Sequence, residues 1–314
     1  MKSLASIFGL GVAIRNTFYE RGIFKARRLQ GPVVSVGNLS VGGSGKTPFV
    51  IMLGGLLTTR GINLDVLSRG YGRRTHGVAL VDPNGSAEEF GDEPLLIARR
   101  LNVPVIVGEE RHKAGLFAES KFGPQIHILD DGFQHRNLAR DFDIVLVSPE
   151  DSQDRLLPAG RLREPLASLR RADAIVLTNG TSQELFPVDG KLIWQVQRGI
   201  LPDNTPDRPV VFCGIARPKS FVSQLRDAGI TPAAESFFRD HHAYTEHDIQ
   251  RLQDLREKTG ANGFVTTEKD SVNLGRFRIA LDPLSVVPVT LELADADNAV
   301  DTMLSTIQKP KPQA

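Results

Sequence analysis

The chain has 314 residues, 40% of them hydrophobic, enough for one large domain or two medium ones with separate cores. Its formal net charge of +1, with 24% charged residues, excludes the global basic excess that dominates nucleic-acid binding. A single cysteine, Cys213, excludes an internal disulfide and a cysteine cluster for a metal, and fits a reducing compartment such as the cytoplasm.

The apolar run over 4–14 is interrupted by Ser6, Gly9 and Gly11 and is shorter than the roughly 20 residues that a spanning helix needs. No small-residue cleavage site follows it, which argues against a signal peptide. Lys2, Arg15, Arg21, Lys25, Arg27 and Arg28 against Glu20 give residues 1–28 a local charge of about +5. Leu4, Ile7, Phe8, Ile14 and Phe18 fall near helical spacing. A helix here either lays an apolar face in a lipid headgroup boundary, with its bases on phosphates, or docks on the protein's own core. Gly9-Leu10-Gly11 lacks the third glycine and the preceding strand of a dinucleotide fingerprint.

Beyond residue 28, apolar runs alternate with helical patterns, and strands are expected at 33–36, 64–67, 103–107, 126–129, 144–147 and 174–177. Most are Val/Ile/Leu-rich without alternation, as strands buried on both faces are. A second, shorter series starts at 210–213 and includes 263–267. Between them Thr245-Glu-His-Asp248 reads as a capping box, opening a helix with Ile249, Leu252 and Leu255 on one face and Gly260 at its end. Segments 192–196 and 286–293 alternate as two strands of a linker. The predicted fold is α/β: a P-loop NTPase-like parallel sheet flanked by helices, with a second smaller α/β domain. The expected divisions are a membrane-surface helix over 1–28, the larger domain over 29–200, the smaller over 201–308, and a disordered Lys/Pro-rich tail over 309–314.

The strongest local signal is Gly42-Gly43-Ser44-Gly45-Lys46-Thr47, after the first strand and before an apolar helix. Glycines let backbone N–H groups turn inward around phosphates, Lys46 offers a point charge to the β/γ oxygens, and the Thr47 hydroxyl suits Mg²⁺. Ser40 occupies the first glycine position of the general pattern. A partner carboxylate belongs at the end of a neighbouring strand, and 125–131 delivers Asp130 and Asp131 there, leaving open which of them faces the metal. A hydroxyl acceptor would want a base, and Asp92 in Gly91-Asp92-Glu93-Pro94 is a candidate, although on spacing alone it reads first as a helix cap. A GTPase or metallochaperone switch is the alternative for such a loop. It needs Asn/Thr-Lys-x-Asp to read guanine, and Thr267-Glu268-Lys269-Asp270 carries its lysine one place late.

Seven segments stand out in chain order: Val36-Gly-Asn-Leu-Ser-Val-Gly-Gly-Ser-Gly-Lys-Thr-Pro48, Ser68-Arg-Gly-Tyr-Gly72, Gly91-Asp-Glu-Pro94, Asp130-Asp-Gly-Phe-Gln-His135, Leu157-Pro-Ala-Gly160 with Leu162-Arg-Glu-Pro165, Phe238-Arg-Asp-His-His242, and Thr266-Thr-Glu-Lys-Asp270. Taken together, they resemble the tetraacyldisaccharide 4′-kinase family. The resemblance implies transfer of the ATP γ-phosphate to the 4′-hydroxyl of an acylated glucosamine disaccharide 1-phosphate in lipid A biosynthesis. It implies work at the cytoplasmic face of the bacterial inner membrane, with no obligate protein partner. Lys46 and Thr47 would bind ATP and Mg²⁺, with Asp130 or Asp131 completing the metal site. Asp92 would be the base, paired with His241. Arg69, Tyr71, Gln134, His135, Arg163 and Glu164 resemble positions lining the nucleotide and phosphosugar site. The role of 266–270 is left open.

Overall fold

The computed structural model describes residues 2–178 and 180–308, so the tail expected to be disordered lies outside it. The first lobe comprises α1 (Lys2–Glu20), β1 (Val33–Asn38), α2 (Lys46–Thr59), β2 (Leu64–Ser68), β3 (Ala79–Leu80), α3 (Ala87–Phe90), α4 (Asp92–Arg100), β4 (Val105–Val107), α5 (Arg111–Phe122), β5 (Ile126–Asp130), β6 (Phe142–Val147), β7 (Ala174–Leu177) and β8 (Leu192–Ile200). The second holds β9 (Val210–Cys213), α6 (Pro218–Asp227), β10 (Ala234–Phe237), α7 (Glu246–Thr259), β11 (Phe264–Thr267), α8 (Glu268–Leu274) and β12 (Leu284–Val287). Then β13 (Val289–Leu293) and α9 (Ala296–Ile307) return to the first lobe.

The large sheet runs β13-β8-β7-β6-β1-β5-β2-β4-β3. Its interior ladders from β8 to β4 are parallel, and only the edge strands β13 and β3 are antiparallel. Every residue of β1, β2, β5, β6 and β7 is buried. Helices cover both faces of such a sheet, so alternation is lost and continuous apolar runs result. The second sheet, β10-β9-β11-β12, is wholly parallel. In α7 the Thr245 hydroxyl accepts from the Asp248 N–H while the Asp248 carboxylate accepts from the Thr245 N–H, and Gly260, at φ 64°, closes the helix.

The division expected over 201–308 is corrected. The run 286–293 is two strands: β12 ends at Val287 in the second sheet, and β13 begins at Val289, antiparallel to β8 in the first. Pro288 between them has no N–H to donate to a continuous ladder. Helix α9 then buries Val300 and Met303 in the core formed with Val34, Phe49, Leu53 and Phe142. An open β8 edge and an apolar stripe on α9 complete each other, and the chain returns to satisfy both.

Helix α1 docks by one narrow face. A Cβ added at Gly9 would lie 2.9 Å from Leu156 Cδ1, and on the same face Asn16 is buried, its Nδ2 donating to Glu164 Oε2 at 2.8 Å. The opposite face leaves Leu4, Ile7, Leu10 and Ile14 exposed. The helix docks through polar and small residues and withholds its apolar stripe from the core.

At the N-terminal end of the sheet, His127 on β5 is fully buried, with Nδ1 at 3.0 Å from both oxygens of the equally buried Asp65 on β2. Glu119 of α5 approaches the other ring nitrogen at 3.4 Å and accepts the backbone N–H groups of Gln30 and Gly31 at 2.6 and 3.0 Å. This network joins β2, β5, α5 and the segment leading into β1. Removing one member strands a buried charge. His127→Leu is expected to cost about 3–5 kcal/mol, and the double variant with Asp65→Leu less than that, as read from urea unfolding midpoints.

Candidate functional site

The loop between β1 and α2 is built for anions. Gly42, Gly43 and Gly45 hold φ values of 86°, 39° and 83°, which side chains with a Cβ rarely adopt, and Gly45 caps α2 in the left-handed conformation. The backbone therefore wraps the helix N-terminus, where N–H groups and the helix dipole favour phosphate. Ser44 and Thr47 are nearly buried. Lys46 Nζ donates to Asn38 Oδ1 at 3.0 Å and pairs with Asp131 Oδ1 at 3.4 Å. From the second lobe, Ala216 reaches over the loop, and a Cβ on Gly43 would lie 3.1 Å from Ala216 Cβ.

The ladder between β1 and β5 sets Val36 opposite Asp130. Asp130 and Asp131 thus emerge beside the loop, at the carboxyl edge where parallel sheets gather their sites. Asp130 is 2% exposed; Ser68 Oγ donates to its Oδ2 at 2.9 Å, while its Oδ1 has no hydrogen-bond partner among the described residues. Burial, followed by the charges of Glu93 and Asp131, pushes Asp130 up to about 7. Burial acts the same way on Asp131, but the Lys46 and Arg163 cations beside it hold it below its ordinary value. A hard divalent cation fits this corner. It would take up the unpartnered oxygen of Asp130 and lower the cost of a buried carboxylate, with Thr47 as a second oxygen donor. Among the described residues no group of three or more His, Cys, Asp or Glu side chains could hold a metal, so phosphate oxygens would have to share the coordination.

Cations surround the carboxylates. Arg163 Nη1 donates to Asp131 Oδ2 at 2.8 Å and to Gln134 Oε1 at 3.3 Å. Gln134 Nε2 donates in turn to the Asn38 carbonyl at 3.0 Å, tying this layer to the end of β1. His135 is held down to about 4 by burial and by Arg111, Arg140, Arg69 and Arg15. Arg111 is 5% exposed, opens α5, and was not singled out in the sequence because nothing local marks it. Burial first, and then the neighbouring Arg69 cation, hold its guanidinium down to about 10, so the two arginines lie near each other beside the carboxylates.

The Glu164 carboxylate, 1% exposed, accepts from Asn16 of α1 at 2.8 Å and from Arg171 at 2.9 Å, so it ties the N-terminal helix to the lobe. Arg171 in turn lies over the Phe133 ring at 4.3 Å.

Asp92 is 4% exposed and is not the helix cap its spacing first suggests. The cap is Gly91, at φ 90°, where a Cβ would lie 2.9 Å from the Tyr71 carbonyl oxygen. Freed from capping, Asp92 turns toward the second lobe: His241 Nδ1 approaches its Oδ2 at 2.8 Å, and Asn273 Nδ2 donates to the same oxygen at 3.2 Å. The ring of Tyr71 lies 5.5 Å from that of His241. Burial works to raise Asp92, and the His241 hydrogen bond with the Lys269 charge more than offsets it, leaving the group below its ordinary value. Glu93, the next residue, is near enough to Asp130 to raise it, so the carboxylate pair and Asp92 occupy one region.

Asp270 closes off the alternative reading of 267–270. It is fully buried, and accepts from Gly214 N at 2.7 Å, from the Tyr244 hydroxyl at 2.8 Å and from the Thr267 hydroxyl at 2.5 Å. With these donors it is committed to the second lobe's interior and cannot read a guanine.

A phosphate loop on a parallel sheet, a carboxylate strand beside it, and a buried aspartate gripped from a second lobe are the parts of a P-loop kinase. The model of the family described as tetraacyldisaccharide-1-P 4′-kinase matches residues 1–308, and the chain belongs to that family. It is 51% identical over 319 residues to the tetraacyldisaccharide 4′-kinase of Koribacter versatilis, covering 98% of this chain and 99% of the relative. It is 42% identical over 283 residues to that of Aquifex aeolicus, covering 84% and 85%. The crystal structure of the "apo" form of LpxK from Aquifex aeolicus in complex with ATP matches with a TM-score of 0.78 at 36% identity, over 98% of each chain.

The anchoring of α1 has a measurable consequence. Glu164→Ala leaves Arg171 without its buried partner and releases Asn16, so amide exchange within α1 is expected to quicken about tenfold or more while that of β1 and β5 stays slow. Hydrogen exchange read by mass spectrometry checks this.

Proposed function

We propose that this protein moves the γ-phosphate of ATP, bound with Mg²⁺ on the loop at 42–47, onto the 4′-hydroxyl of a tetraacyldisaccharide 1-phosphate, with Asp92 as the base. The observation that carries the reading is Asp92 itself: a nearly buried aspartate, held below its ordinary value, beside the carboxylates of the phosphate loop. A surface or capping aspartate needs no such environment.

In this reading the loop amides and Lys46 hold the phosphate chain, and Lys46 with Arg163 faces the charge that spreads over the transferred group. Thr47 with Asp130 or Asp131 would hold Mg²⁺, which supplies charge neutralisation to the phosphates. Arg69 and Arg111 offer positive field to the second phosphate, the one on the acceptor sugar, and His135, held neutral beside them, offers a ring nitrogen for hydrogen bonding. Asp92 Oδ2 is already engaged by His241 and Asn273, whereas Oδ1 accepts only the Glu93 N–H at 2.9 Å. Oδ1 keeps a lone pair for the hydroxyl proton. As that proton moves to Oδ1, the sugar oxygen bonds to phosphorus and the bond to the β-phosphate oxygen breaks, its electron pair leaving with ADP.

The acyl chains of such an acceptor belong in a membrane, and α1 supports a peripheral position at the cytoplasmic surface. Leu4, Ile7, Leu10 and Ile14 are 58%, 67%, 62% and 47% exposed, and Arg21, Lys25, Arg27 and Arg28 follow on the surface. No helix among the described residues is long and apolar enough to cross a membrane. An amphipathic helix with adjacent bases suits an anionic headgroup layer.

Asp92→Asn is expected to lower turnover on ATP and the acylated disaccharide 1-phosphate by about a hundredfold or more, because the amide cannot take the proton. Transfer of labelled γ-phosphate measures this, and unchanged turnover would return Asp92 to a structural role. Ile7→Glu with Leu10→Glu is expected to weaken sedimentation with anionic vesicles about tenfold, and to change turnover on detergent-dispersed acceptor far less.

A further inference from the structure

In the segment Thr266-Thr-Glu-Lys-Asp270, the partly buried lysine reaches toward Asp92. Lys269, in the first turn of α8, has a side chain only 18% exposed. Its Nζ lies 2.9 Å from Asp240 Oδ1, 3.2 Å from His241 Nε2, and 3.9 Å from both Asp92 Oδ2 and Glu93 Oε1. An ammonium carries three donors and no acceptor. At 3.2 Å, then, Nε2 of His241 is the acceptor, and the ring proton must sit on Nδ1, which faces Asp92 Oδ2 at 2.8 Å.

We propose that Lys269 is a positioning residue for the phosphotransfer: by donating to Nε2 it holds His241 as the neutral Nδ1–H tautomer, and its charge keeps Asp92 a carboxylate as the acceptor hydroxyl approaches. The proposal rests on Asp92 being the base. Lys269 touches neither the phosphate loop nor the reacting hydroxyl; it acts through His241 and Asp92. Without it the imidazole is free to bind a proton at Nε2 or to flip, and a flipped ring presents the wrong nitrogen to Asp92.

The charged groups around the pair act in opposite directions. Asp92 and Glu93 come from α4, Asp240 from the loop before α7, and Lys269 from α8; Asn273 and the Tyr71 ring complete the surroundings without charge. The Asp92 hydrogen bond pulls His241 above its ordinary value and Asp240, 3.9 Å from Nε2, adds to that pull, while burial and the Lys269 cation oppose it. The same cation lowers Asp92. Protonating His241 at Nε2 would set an N–H against the ammonium, so the imidazolium can form only if Lys269 withdraws. Loss of the cation therefore moves both groups in one direction, upward, and the pH at which the dyad becomes competent rises with them. Closure of the lobes does not depend on Lys269 alone, since Arg100 of α4 pairs with Glu268 of α8 at 2.5 Å.

The full-length Lys269→Met and Lys269→Arg variants test this against the dependence of kcat/KM for the acceptor on pH. Lys269→Met is expected to shift the acid limb upward by about one pH unit, so that activity falls about tenfold more at pH 6.5 than at pH 9, with KM for ATP within about twofold of wild type. Lys269→Arg, which keeps the charge, is expected to hold the limb within about 0.3 units of wild type. A uniform loss at every pH would make Lys269 a tie between lobes and overturn the proposal, as would wild-type behaviour of Lys269→Met. Nitrogen-15 spectra of histidine-labelled wild-type protein give a reading that requires no variant to fold. A neutral His241 protonated at Nδ1 is expected, and protonation at Nε2 would overturn the assignment. Asp92→Asn in the same assay separates the two ideas. If it retains turnover the base reading fails, whereas if it is inactive and Lys269→Met leaves the limb unmoved, only the role of Lys269 fails.

Discussion

One backbone ladder, β1 against β5, sets the positions of nearly everything chemical in the molecule. Val33 pairs with His127 and Val36 with Asp130, so the strand that leads into the phosphate loop and the strand that ends in two carboxylates finish at the same height. A slip of one residue would turn Asp130 to the other face of the sheet and bring the buried His127 out of reach of Asp65. The register is held at both ends: at the bottom by the His127, Asp65 and Glu119 network, and at the top by Ser68 on Asp130 and Lys46 on Asp131. Both faces of the sheet are packed, so no alternative register could bury the same runs of Val, Ile and Leu without burying these charges unpaired.

The second lobe matters to the first chiefly through α8. This helix lies along α4 and brings Lys269 and Asn273 to Asp92, while the loop before α7 brings His241. His241 itself stands at φ 55°, an uncommon conformation for a residue with a side chain, and Lys269 and Asp92 hold its ring from two sides. Asp92 alone in the first lobe would be a buried carboxylate with one backbone donor, and burial would drive it toward the neutral acid. The partners that keep it charged come from residues more than 145 positions away, Asn273 at a separation of 181. As the proposed base, Asp92 has its side-chain partners only where the two lobes meet.

Helix α1 shows the opposite economy. Elsewhere apolar stripes find partners, as α9 does on the main core, but α1 docks by Gly9 and Asn16 and leaves its larger side chains in solvent. Glu164, which resembles a position lining the nucleotide and phosphosugar site, also accepts from Asn16 and so helps to hold this helix. An element intended for the protein's own core would have been built the other way round.

Local patterns in the sequence were sufficient for whatever depends on near neighbours. Continuous Val/Ile/Leu runs mark buried parallel strands, glycines before Lys46 and Thr47 mark a loop that must adopt positive φ, and Thr245 with Asp248 and Gly260 bounds α7, because sterics and backbone hydrogen bonding act over a few residues. The tertiary structure decided what depends on distant ones. Asp92 looks like a helix cap until His241 and Asn273 arrive from the other lobe. Arg111 carries no local mark, Glu164 is claimed by Asn16, and the chain after Pro288 leaves one sheet for another because an edge strand and an apolar helix needed cover. Burial and charge pairing are sums over the whole fold, and no window of the sequence contains both members of these pairs.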